Sequence, residues 1–354
     1  MTVDGGYPGE IGSKERKYKW ASRSRENKRC GYKMHKGLNW IEKGIRQVGS
    51  FVENHECLRL RVHILLDWWG TKVWKKTTEV MTPYGFKFRS GFHPAYKAMR
   101  NGQFEIEETA LISRMLDKVE VFVDIGANLG YFTLIACQKN KKVIAFEPQH
   151  QNLMCLFQNL ISNGWQDCVE VFPVALSESP GLLTLYGSSG PSASLVRNWS
   201  GYSSRYHQTV SVLTLDGVLS GRFIDSFLLL KIDVEGVEYQ VLKGALEIMS
   251  RSLKPIWFVE VFLGKFHPQG VNPFFRDVFK LFRENGYDAY TAVESPVLLS
   301  EDDIDRMVTG QGFDSAVHNY LFVDYEVDFY ELIGAEEGFQ TTEDRGQRTA
   351  GSGA

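Results

Sequence analysis

The stretch that decides the fold is "VFVDIGANLGYFTLIAC", residues 121–137. An apolar, β-branched run ends at Asp124, a turn bounded by Gly126 and Gly130 follows, and a second apolar run begins at Tyr131. This order predicts a buried strand, a tight turn and a helix, because the two glycines let the backbone turn sharply. Such a turn can cradle the phosphates of a dinucleotide, hold a different nucleoside, or join strand to helix without any ligand.

The chain around this stretch alternates strands with helices. The runs typical of strands are "VEVFVDIGA", "KKVIAFEP", "CVEVFPVALS", "SFLLLKIDVEG", "KPIWFVEVF", "YDAYTAVE" and "HNYLFVDYEV". Between most of them lie helical patterns such as "HQNLMCLFQNLISNG". Near-continuous apolar strands that alternate with helices predict an α/β protein with a parallel sheet covered on both faces.

Length and composition are ordinary for a globular protein. At 354 residues, with 43% hydrophobic and 23% charged residues, the chain can bury a large core. The net charge of -3 gives no general attraction to nucleic acid or to an anionic membrane. The sequence has no apolar run approaching the ~18 residues of a membrane span, and its N-terminus lacks a secretory signal. The five cysteines are scattered without a CxxC pair, which favours reduced thiols in a cytoplasmic protein.

The two ends of the chain differ from the middle. Residues 1–36 contain ten Lys or Arg against four acids and lack apolar periodicity, so we expect a basic, disordered tail. Residues 37–98 predict a helical extension that closes with a short hairpin, "TTEVMTPYGFKFRS" at 77–90. Residues 331–354 end in a polar, Gly/Ser-rich segment, which predicts a disordered C-terminal tail. Residues 99–330 form the predicted α/β domain.

Three residues, two at the turn and one after the next strand, decide between the possible ligands. The dinucleotide fingerprint is G-x-G-x-x-G, and its middle glycine admits the pyrophosphate. Here Asn128 takes that place, and the Asp124 carboxylate opposes a polyanion, which argues against a nicotinamide oxidoreductase. Glu147 follows the next strand, where an acidic side chain can accept hydrogen bonds from ribose hydroxyls. Together these residues indicate S-adenosylmethionine rather than a ligand-free connection.

Three motifs resemble those of the FkbM-type methyltransferases, a class I, S-adenosylmethionine-dependent family. They are "FVDIGANLGYFTL", "AFEPQHQNLMCLFQNL" and, most specifically, "LLLKIDVEGVEYQVLKGA". The resemblance begins at about Met99 and extends, weakening, to about Val327. It implies a Rossmann-like, seven-stranded, mostly parallel sheet flanked by helices, with its last strand antiparallel. It also implies O-methylation of sugars or natural-product hydroxyls.

The expected cofactor site surrounds the ends of the first three predicted strands. Asp124 would face the amino acid part of S-adenosylmethionine and Glu147 its ribose, while Ala175 and Leu176 should lie near the adenine. The full set of expected cofactor-binding residues is Asp124, Gly126, Ala127, Asn128, Gly130, Glu147, Pro148, Ala175 and Leu176.

The expected catalytic residues follow the next two strands. In "KIDVEG", strand alternation would put Lys231, Asp233 and Glu235 on one face, at a strand end that faces the same crevice. Methyl transfer to a hydroxyl needs alignment and a base, for which Asp233 is the first candidate and Glu235 the second. We expect Lys231 to pair with one of these acids and to contact the acceptor. Alternatively, Glu235 caps the following helix.

Two further residues complete this catalytic set. Glu260 ends the fifth strand beside the same crevice, and His267 lies in the loop that follows. His267 could remove the hydroxyl proton if that loop folds over the crevice, or it could simply be exposed to solvent. The four residues could instead bind a divalent cation, but we do not favour a metal.

A long polar segment, "GSSGPSASLVRNWSGYSSRYHQ" at 187–208, predicts a mobile loop over the acceptor site. Its aromatic and charged residues could bind a saccharide or polyol, or could be ordinary anchors of a surface loop. The expected acceptor-binding residues of this loop are Arg197, Trp199, Tyr202 and Tyr206.

The sequence therefore predicts an S-adenosylmethionine-dependent O-methyltransferase. Its acceptor would be a hydroxyl of a saccharide, a glycoconjugate or a natural product. Two alternatives stay open: an RNA or protein acceptor with the basic tail as a tether, and a non-catalytic S-adenosylmethionine-binding module. Nucleic acid is the less expected partner, and the oligomeric state is not encoded in any pattern that we recognise.

Overall fold

The computed structural model describes residues 77–91, 93–187, 193–201, 204–264, 266–310 and 317–333. These residues all belong to one of two compact units, His63–Ala354. The basic tail, the helices of the N-terminal extension, Tyr202 and the chain after residue 333 lie outside the described residues. In the part of the chain that is described, no helix combines the length and the apolarity needed to cross a bilayer.

The strands form one large sheet and two small ones. They are β1 (Thr78–Met81), β2 (Lys87–Ser90), β3 (Val121–Ile125), β4 (Lys142–Phe146), β5 (Val169–Phe172), β6 (Ala175–Leu176), β7 (Gly181–Tyr186), β8 (His207–Leu213), β9 (Leu228–Ile232), β10 (Ile256–Glu260), β11 (Tyr287–Thr291) and β12 (Asn319–Asp324). The large sheet has seven strands in the order β11-β12-β10-β9-β3-β4-β5. The five strands from β10 to β5 run parallel, and β12 is antiparallel to both of its neighbours. This arrangement confirms the class I methyltransferase sheet, including its antiparallel last strand.

Helices cover both faces of this sheet. They are α1 (Pro94–Arg100), α2 (Ile106–Leu116), α3 (Tyr131–Gln138), α4 (His150–Asn163), α5 (Leu215–Leu219), α6 (Glu238–Lys243), α7 (Leu246–Met249), α8 (Phe275–Glu284), α9 (Glu301–Thr309) and α10 (Phe329–Ile333). Side chains alternate between the faces of each strand. Phe122 therefore packs in one apolar cluster with Leu134 of α3, whereas Val123 packs in the opposite cluster with Phe282 of α8.

Two sequence expectations need correction. The run "CVEVFPVALS" forms two strands rather than one, because Pro173 cannot donate a ladder hydrogen bond and β5 ends just before it. Ala175 then pairs with Val212 of β8 in a small separate sheet, β6-β8-β7. The C-terminal tail was expected to be disordered from residue 331, but helix α10 extends to Ile333. Its apolar residues are buried, which holds this segment on the core.

The predicted hairpin is present as the antiparallel pair β1 and β2. Its inward-facing Phe86 and Phe88 are fully buried and stack edge-on with Tyr131, the first residue of α3. Asn159 of α4 accepts a hydrogen bond from the Arg89 amide and donates one to the Leu129 carbonyl. The hairpin is thereby tied to the turn between β3 and α3.

The strand order reverses at β3, because the chain continues to β4 and β5 on one side and returns to β9 on the other. Ligands of open α/β sheets bind outside the carboxyl ends of the strands at such a point. Gly130, with φ 86°, is the N-cap residue of α3. A Cβ on Gly130 would lie 2.4 Å from Cδ1 of Leu156, so Gly130 admits a packed side chain of α4.

We expect Gly130→Ala to lower the free energy of unfolding by about 2–4 kcal/mol, because left-handed strain and overpacking add. Gly164→Ala is the matched control. Gly164 has a similar φ of 71°, but its Cβ would meet no atom within 4 Å. The control should lose only the strain contribution, ~1–2 kcal/mol. Urea unfolding of the full chain measures both, and equal losses would contradict the packing role of Gly130.

Candidate active site

A cavity of about 250 Å³ lies at the carboxyl ends of β3, β4, β9 and β10. It is lined by twelve of the residues expected from the sequence: Asp124, Gly126, Ala127, Asn128, Glu147, Pro148, Ala175, Leu176, Lys231, Asp233, Glu235 and Glu260. Residues that are 136 positions apart in the sequence, Asp124 and Glu260, thus face one space (260 − 124 = 136).

One wall of the cavity is the turn after β3. Gly126 has φ 89°, and a Cβ there would lie 1.8 Å from the carbonyl oxygen of Asp233. The backbone after β9 therefore approaches Gly126 more closely than a side chain at this position would allow. Asn128 adopts φ 53°, a left-handed conformation that Asn tolerates better than most side chains. The turn thus brings the ends of β3 and β9 into direct contact.

Asp124 is the penultimate residue of β3 and is almost completely buried. Its Oδ2 accepts a hydrogen bond from the Thr133 hydroxyl at 2.6 Å. Burial raises the pKa of Asp124, while Lys231 and the Thr133 hydrogen bond act in the opposite direction. This carboxyl group is placed to meet a cationic group in the cavity.

Glu147 directly follows β4, and its carboxyl group accepts hydrogen bonds from two backbone amides. Its Oε2 accepts from the Asn128 amide at 2.8 Å, and its Oε1 accepts from the Gln149 amide at 2.7 Å. Burial raises the pKa of Glu147 to about 7, although both amides favour the charged form. These bonds fix the orientation of the carboxyl group at the cavity wall.

Asn152, one turn into α4, also lines the cavity and was not singled out from the sequence. Its side chain hydrogen-bonds Glu147. Its Oδ1 is buried and has no donor within hydrogen-bond distance among the described residues. An unpartnered buried acceptor is costly, and a ligand hydroxyl or amine would satisfy it. Glu147 and Asn152 together therefore suit the sugar of a nucleoside. Asn152 follows ordinary helical periodicity, so no sequence signal distinguished it.

The wall opposite Glu147 contains a buried ion pair. Nζ of Lys231 lies 2.7 Å from Oδ2 of Asp233 and 4.8 Å from the centre of the Phe132 ring. Burial alone would lower the pKa of Lys231, but Asp233 and nearby carboxyl groups raise it further than burial lowers it. Burial alone would raise the pKa of Asp233, but Lys231 lowers it overall. The pair is therefore ionised at neutral pH, as expected from the sequence.

Two glutamates extend this carboxyl cluster. Ligand oxygens of Asp233, Glu235 and Glu260 lie within 4.8 Å of one another. Burial, and then the Asp233 charge, raises the pKa of Glu235 to about 8. The same two causes hold the pKa of Glu260 well above its ordinary value. The surroundings thus favour the ionised form of Asp233 and the protonated forms of Glu235 and Glu260.

A fourth carboxyl group was missed by the sequence reasoning. Glu105 precedes α2, has a left-handed φ of 41°, and lines the cavity. Burial raises the pKa of Glu105 to about 8, with Lys231 opposing the shift. An acidic residue before a helix is common. Its sequence position therefore gave no reason to separate Glu105 from its neighbours Glu107 and Glu108.

Five expected residues do not line the cavity: Gly130, Arg197, Trp199, Tyr206 and His267. Arg197 and Tyr206 are exposed to solvent. His267 packs edge-on against the Trp199 ring, with centroids 6.0 Å apart. The polar loop still contributes to the wall, through the apolar side chains of Ala193 and Leu195.

Comparison with known proteins agrees with this geometry. A family model described as "Methyltransferase FkbM domain" matches residues 124–289, which span the turn after β3 and the "KIDVEG" motif. The hexuronic acid methyltransferase AglP of Haloferax volcanii is 30% identical over 182 residues, which are 50% of this chain and 68% of AglP.

The chain belongs to the FkbM methyltransferase family.

Solved structures are more distant from this FkbM methyltransferase. The methyltransferase FkbM of Methylobacillus flagellatus is 17% identical, with a TM-score of 0.35 over 58% of this chain and 43% of that chain. This chain thus spans less than half the length of that protein. TYW2 of P. horikoshii, solved in complex with MeSAdo, is 14% identical, with a TM-score of 0.31 over 70% and 69% of the two chains.

The carboxyl cluster of this FkbM methyltransferase could offer oxygen ligands to a divalent cation. The geometry brings together three of the four residues considered for that role, and His267 is not among them. Lys231 already supplies a positive charge to Asp233. A cluster of acids is therefore compatible with a metal but does not indicate one.

We expect Glu238→Gln to alter the pH dependence of stability. Glu238 is 3% exposed, and burial raises its pKa to about 7. Its unfolded pKa is about 4.3. Because the folded pKa is raised, its contribution to stability is present below pH ~4.3 and is lost as the pH rises through about 7.

Glutamine does not titrate, so the variant should gain about 2–4 kcal/mol relative to the native chain between pH 5 and pH 8. Urea unfolding of both chains across that range measures the difference. A difference that stays constant with pH would show that Glu238 is not proton-linked to folding.

Proposed function

We propose that this FkbM methyltransferase transfers the methyl group of S-adenosylmethionine to a hydroxyl oxygen of a saccharide-like acceptor. The observation that supports this most is that a single cavity contains both polar groups that suit a nucleoside and carboxyl groups that could act on a hydroxyl. Glu147 and the unpartnered Asn152 oxygen suit a nucleoside at one wall. The ionised Asp233 and the proton-retaining Glu235 stand at the other.

The wall of the cavity that contains Glu147, Asn152, Ala175 and Leu176, here called the nucleoside wall, fits the methyl donor. S-adenosylmethionine, when bound, supplies a methyl group activated by a positively charged sulfur. Glu147 and Asn152 would hold its ribose, and the apolar Ala175 and Leu176 would contact its adenine. The buried carboxyl group of Asp124 would favour its cationic part.

The pKa directions suggest which carboxylate removes the acceptor proton. A general base is most effective when its pKa lies near the working pH. Lys231 lowers the pKa of Asp233, which makes Asp233 a weak base but a permanent hydrogen-bond acceptor. Glu235, with a pKa raised to about 8, is the stronger base. We therefore assign orientation of the hydroxyl to Asp233 and removal of its proton to Glu235.

The charge of the cavity restricts which part of an acceptor can enter it. AglP is named for a hexuronic acid, which carries a carboxylate. Among the described lining residues here, Lys231 is the only lysine or arginine, and Asp233 already neutralises it. The carboxylate of a hexuronic acid inside this cavity would be repelled by the carboxyl groups that line it. We therefore propose that an uncharged part of the saccharide enters, and that any uronate group stays outside the cavity.

Incubation of the full chain with isotopically labelled S-adenosylmethionine tests this function. The acceptors would be pairs of oligosaccharides that differ only in a terminal hexose or the corresponding hexuronate, with mass spectrometry as the readout. We expect one labelled methyl group on a hydroxyl, with the hexose form the better acceptor. Label on RNA or protein would favour the alternative acceptors, and cofactor binding without any transfer would favour a binding module.

Variants of the two carboxylates test the assigned roles. We expect Glu235→Gln to lower turnover by ~10²–10⁴ and to abolish the rise of activity around pH 8. Asp233→Asn should lower turnover too but keep that rise. Glu238→Gln controls for loss of a neighbouring carboxyl group, because Glu238 is buried in the same motif but does not line the cavity; it should keep turnover and move the rise to lower pH, since Glu238 raises the pKa of Glu235. If Glu235→Gln kept full turnover, proton removal would belong to another group.

A further inference from the structure

We propose that Trp199 is a positioning residue, whose indole N–H holds the Glu235 carboxylate in the orientation that proton removal requires. This inference rests on the role of Glu235 in the proposed function. It replaces the expectation that Trp199 stacks on the acceptor, because the Trp199 ring does not line the cavity.

The hydrogen bond between these two side chains is short and partly buried. Nε1 of Trp199 donates to Oε2 of Glu235 at 2.5 Å, and Trp199 is only 2% exposed. The bond links residues 36 positions apart. It joins the polar loop to the strand end that carries the carboxyl cluster.

The Trp199 ring is fixed on its other sides by packing. It packs against Phe262 and Phe266, whose ring centroids are each 6.3 Å from that of Trp199 and 4.6 Å from each other. A Cβ on Gly236 would lie 2.4 Å from Cζ3 of this ring, so glycine is what lets the ring approach the motif. The amide of the next residue, Ser200, donates to the Phe266 carbonyl at 2.9 Å. The indole therefore has little freedom to turn away from Glu235.

The backbone of Glu235 is held from the same loop. Glu235 adopts φ 59°, a left-handed conformation that is strained for a glutamate. The Ser194 hydroxyl donates to the Glu235 carbonyl at 2.5 Å and accepts from the Val196 amide at 2.9 Å. One short segment thus fixes both the backbone and the carboxyl group of Glu235.

The direction of the Trp199 bond matters for the chemistry. An indole N–H can only donate, so it favours the ionised carboxylate. The Trp199 bond opposes burial and the carboxyl groups around Glu235, which lie on three elements: Asp233 after β9, Glu238 on α6 and Glu260 on β10. Lys231 of β9 acts in the same direction as Trp199. Loss of the N–H should therefore leave Glu235 protonated to higher pH.

The test is the pH dependence of methyl transfer by the full-length Trp199→Phe variant. We expect the rising limb of kcat/KM to move up by about one pH unit, and kcat/KM at pH 7 to fall about tenfold. Trp257→Phe is the matched control. Trp257 is equally buried, but it packs on Phe282 in the cluster on the opposite face of the sheet from Glu260. It should leave the midpoint of the limb unchanged.

A double-mutant comparison separates positioning from general damage. If Trp199 acts through Glu235, Trp199→Phe should cost no further turnover in a Glu235→Gln background. A uniform loss of activity with an unshifted limb, or additive losses in the double variant, would overturn the proposal. S-adenosylhomocysteine binding by calorimetry verifies that each variant is folded.

A measurement on the native chain covers the case in which Trp199→Phe does not fold. One indole N–H signal in a ¹⁵N–¹H spectrum should titrate with a midpoint well above that of an ordinary glutamate, and it should stop titrating in Glu235→Gln. The absence of such a signal would overturn the positioning role. Native methyl transfer and its loss in Glu235→Gln test the proposed function separately.

Discussion

The buried ion pair between Lys231 and Asp233 is the interaction on which the site depends. A lysine in the middle of a sheet needs compensating charge, and Asp233 supplies it at 2.7 Å. Once Asp233 is ionised, neighbouring carboxyl groups in the same buried space resist losing their protons. Burial raises the pKa values of Glu105, Glu235 and Glu260, and the Asp233 charge raises them further. Burial and this ion pair together therefore set the protonation of the cluster.

The fold places this cluster beside the nucleoside wall through one backbone contact. Gly126 lets the turn after β3 touch the carbonyl of Asp233, so the ends of β3 and β9 share a wall. The neighbouring strand β4 brings Glu147, whose carboxyl group accepts from the amide of Asn128 in that same turn. The donor and acceptor sides of the proposed reaction are therefore parts of one rigid arrangement of strand ends.

The sequence was sufficient for the sheet and for twelve of the residues that line the cavity, because strand periodicity is local and parallel strands end at one edge. It was insufficient where contacts between segments that are distant in the sequence determine the position of a side chain. From the sequence, Trp199 was expected to bind the acceptor. In the structure, Gly236, which lies 37 positions later (236 − 199 = 37), lets the indole pack on the "KIDVEG" turn instead. In the sequence, Glu105 and Asn152 resemble ordinary residues at the start of a helix. The fold places both of them in the lining of the cavity. Gly130 was expected to bind the cofactor, but the space beside it is filled by the side chain of Leu156.

Calorimetric titration of S-adenosylhomocysteine into the full chain tests the central claim, that this cavity binds the methyl donor beside the charged cluster. We expect binding at one site. Glu147→Gln should weaken it about 10- to 100-fold, because the variant loses a hydrogen-bonded, charged acceptor. Glu235→Gln should leave the affinity unchanged. Absence of binding by the native chain, or equal affinity of native and Glu147→Gln proteins, would contradict the account.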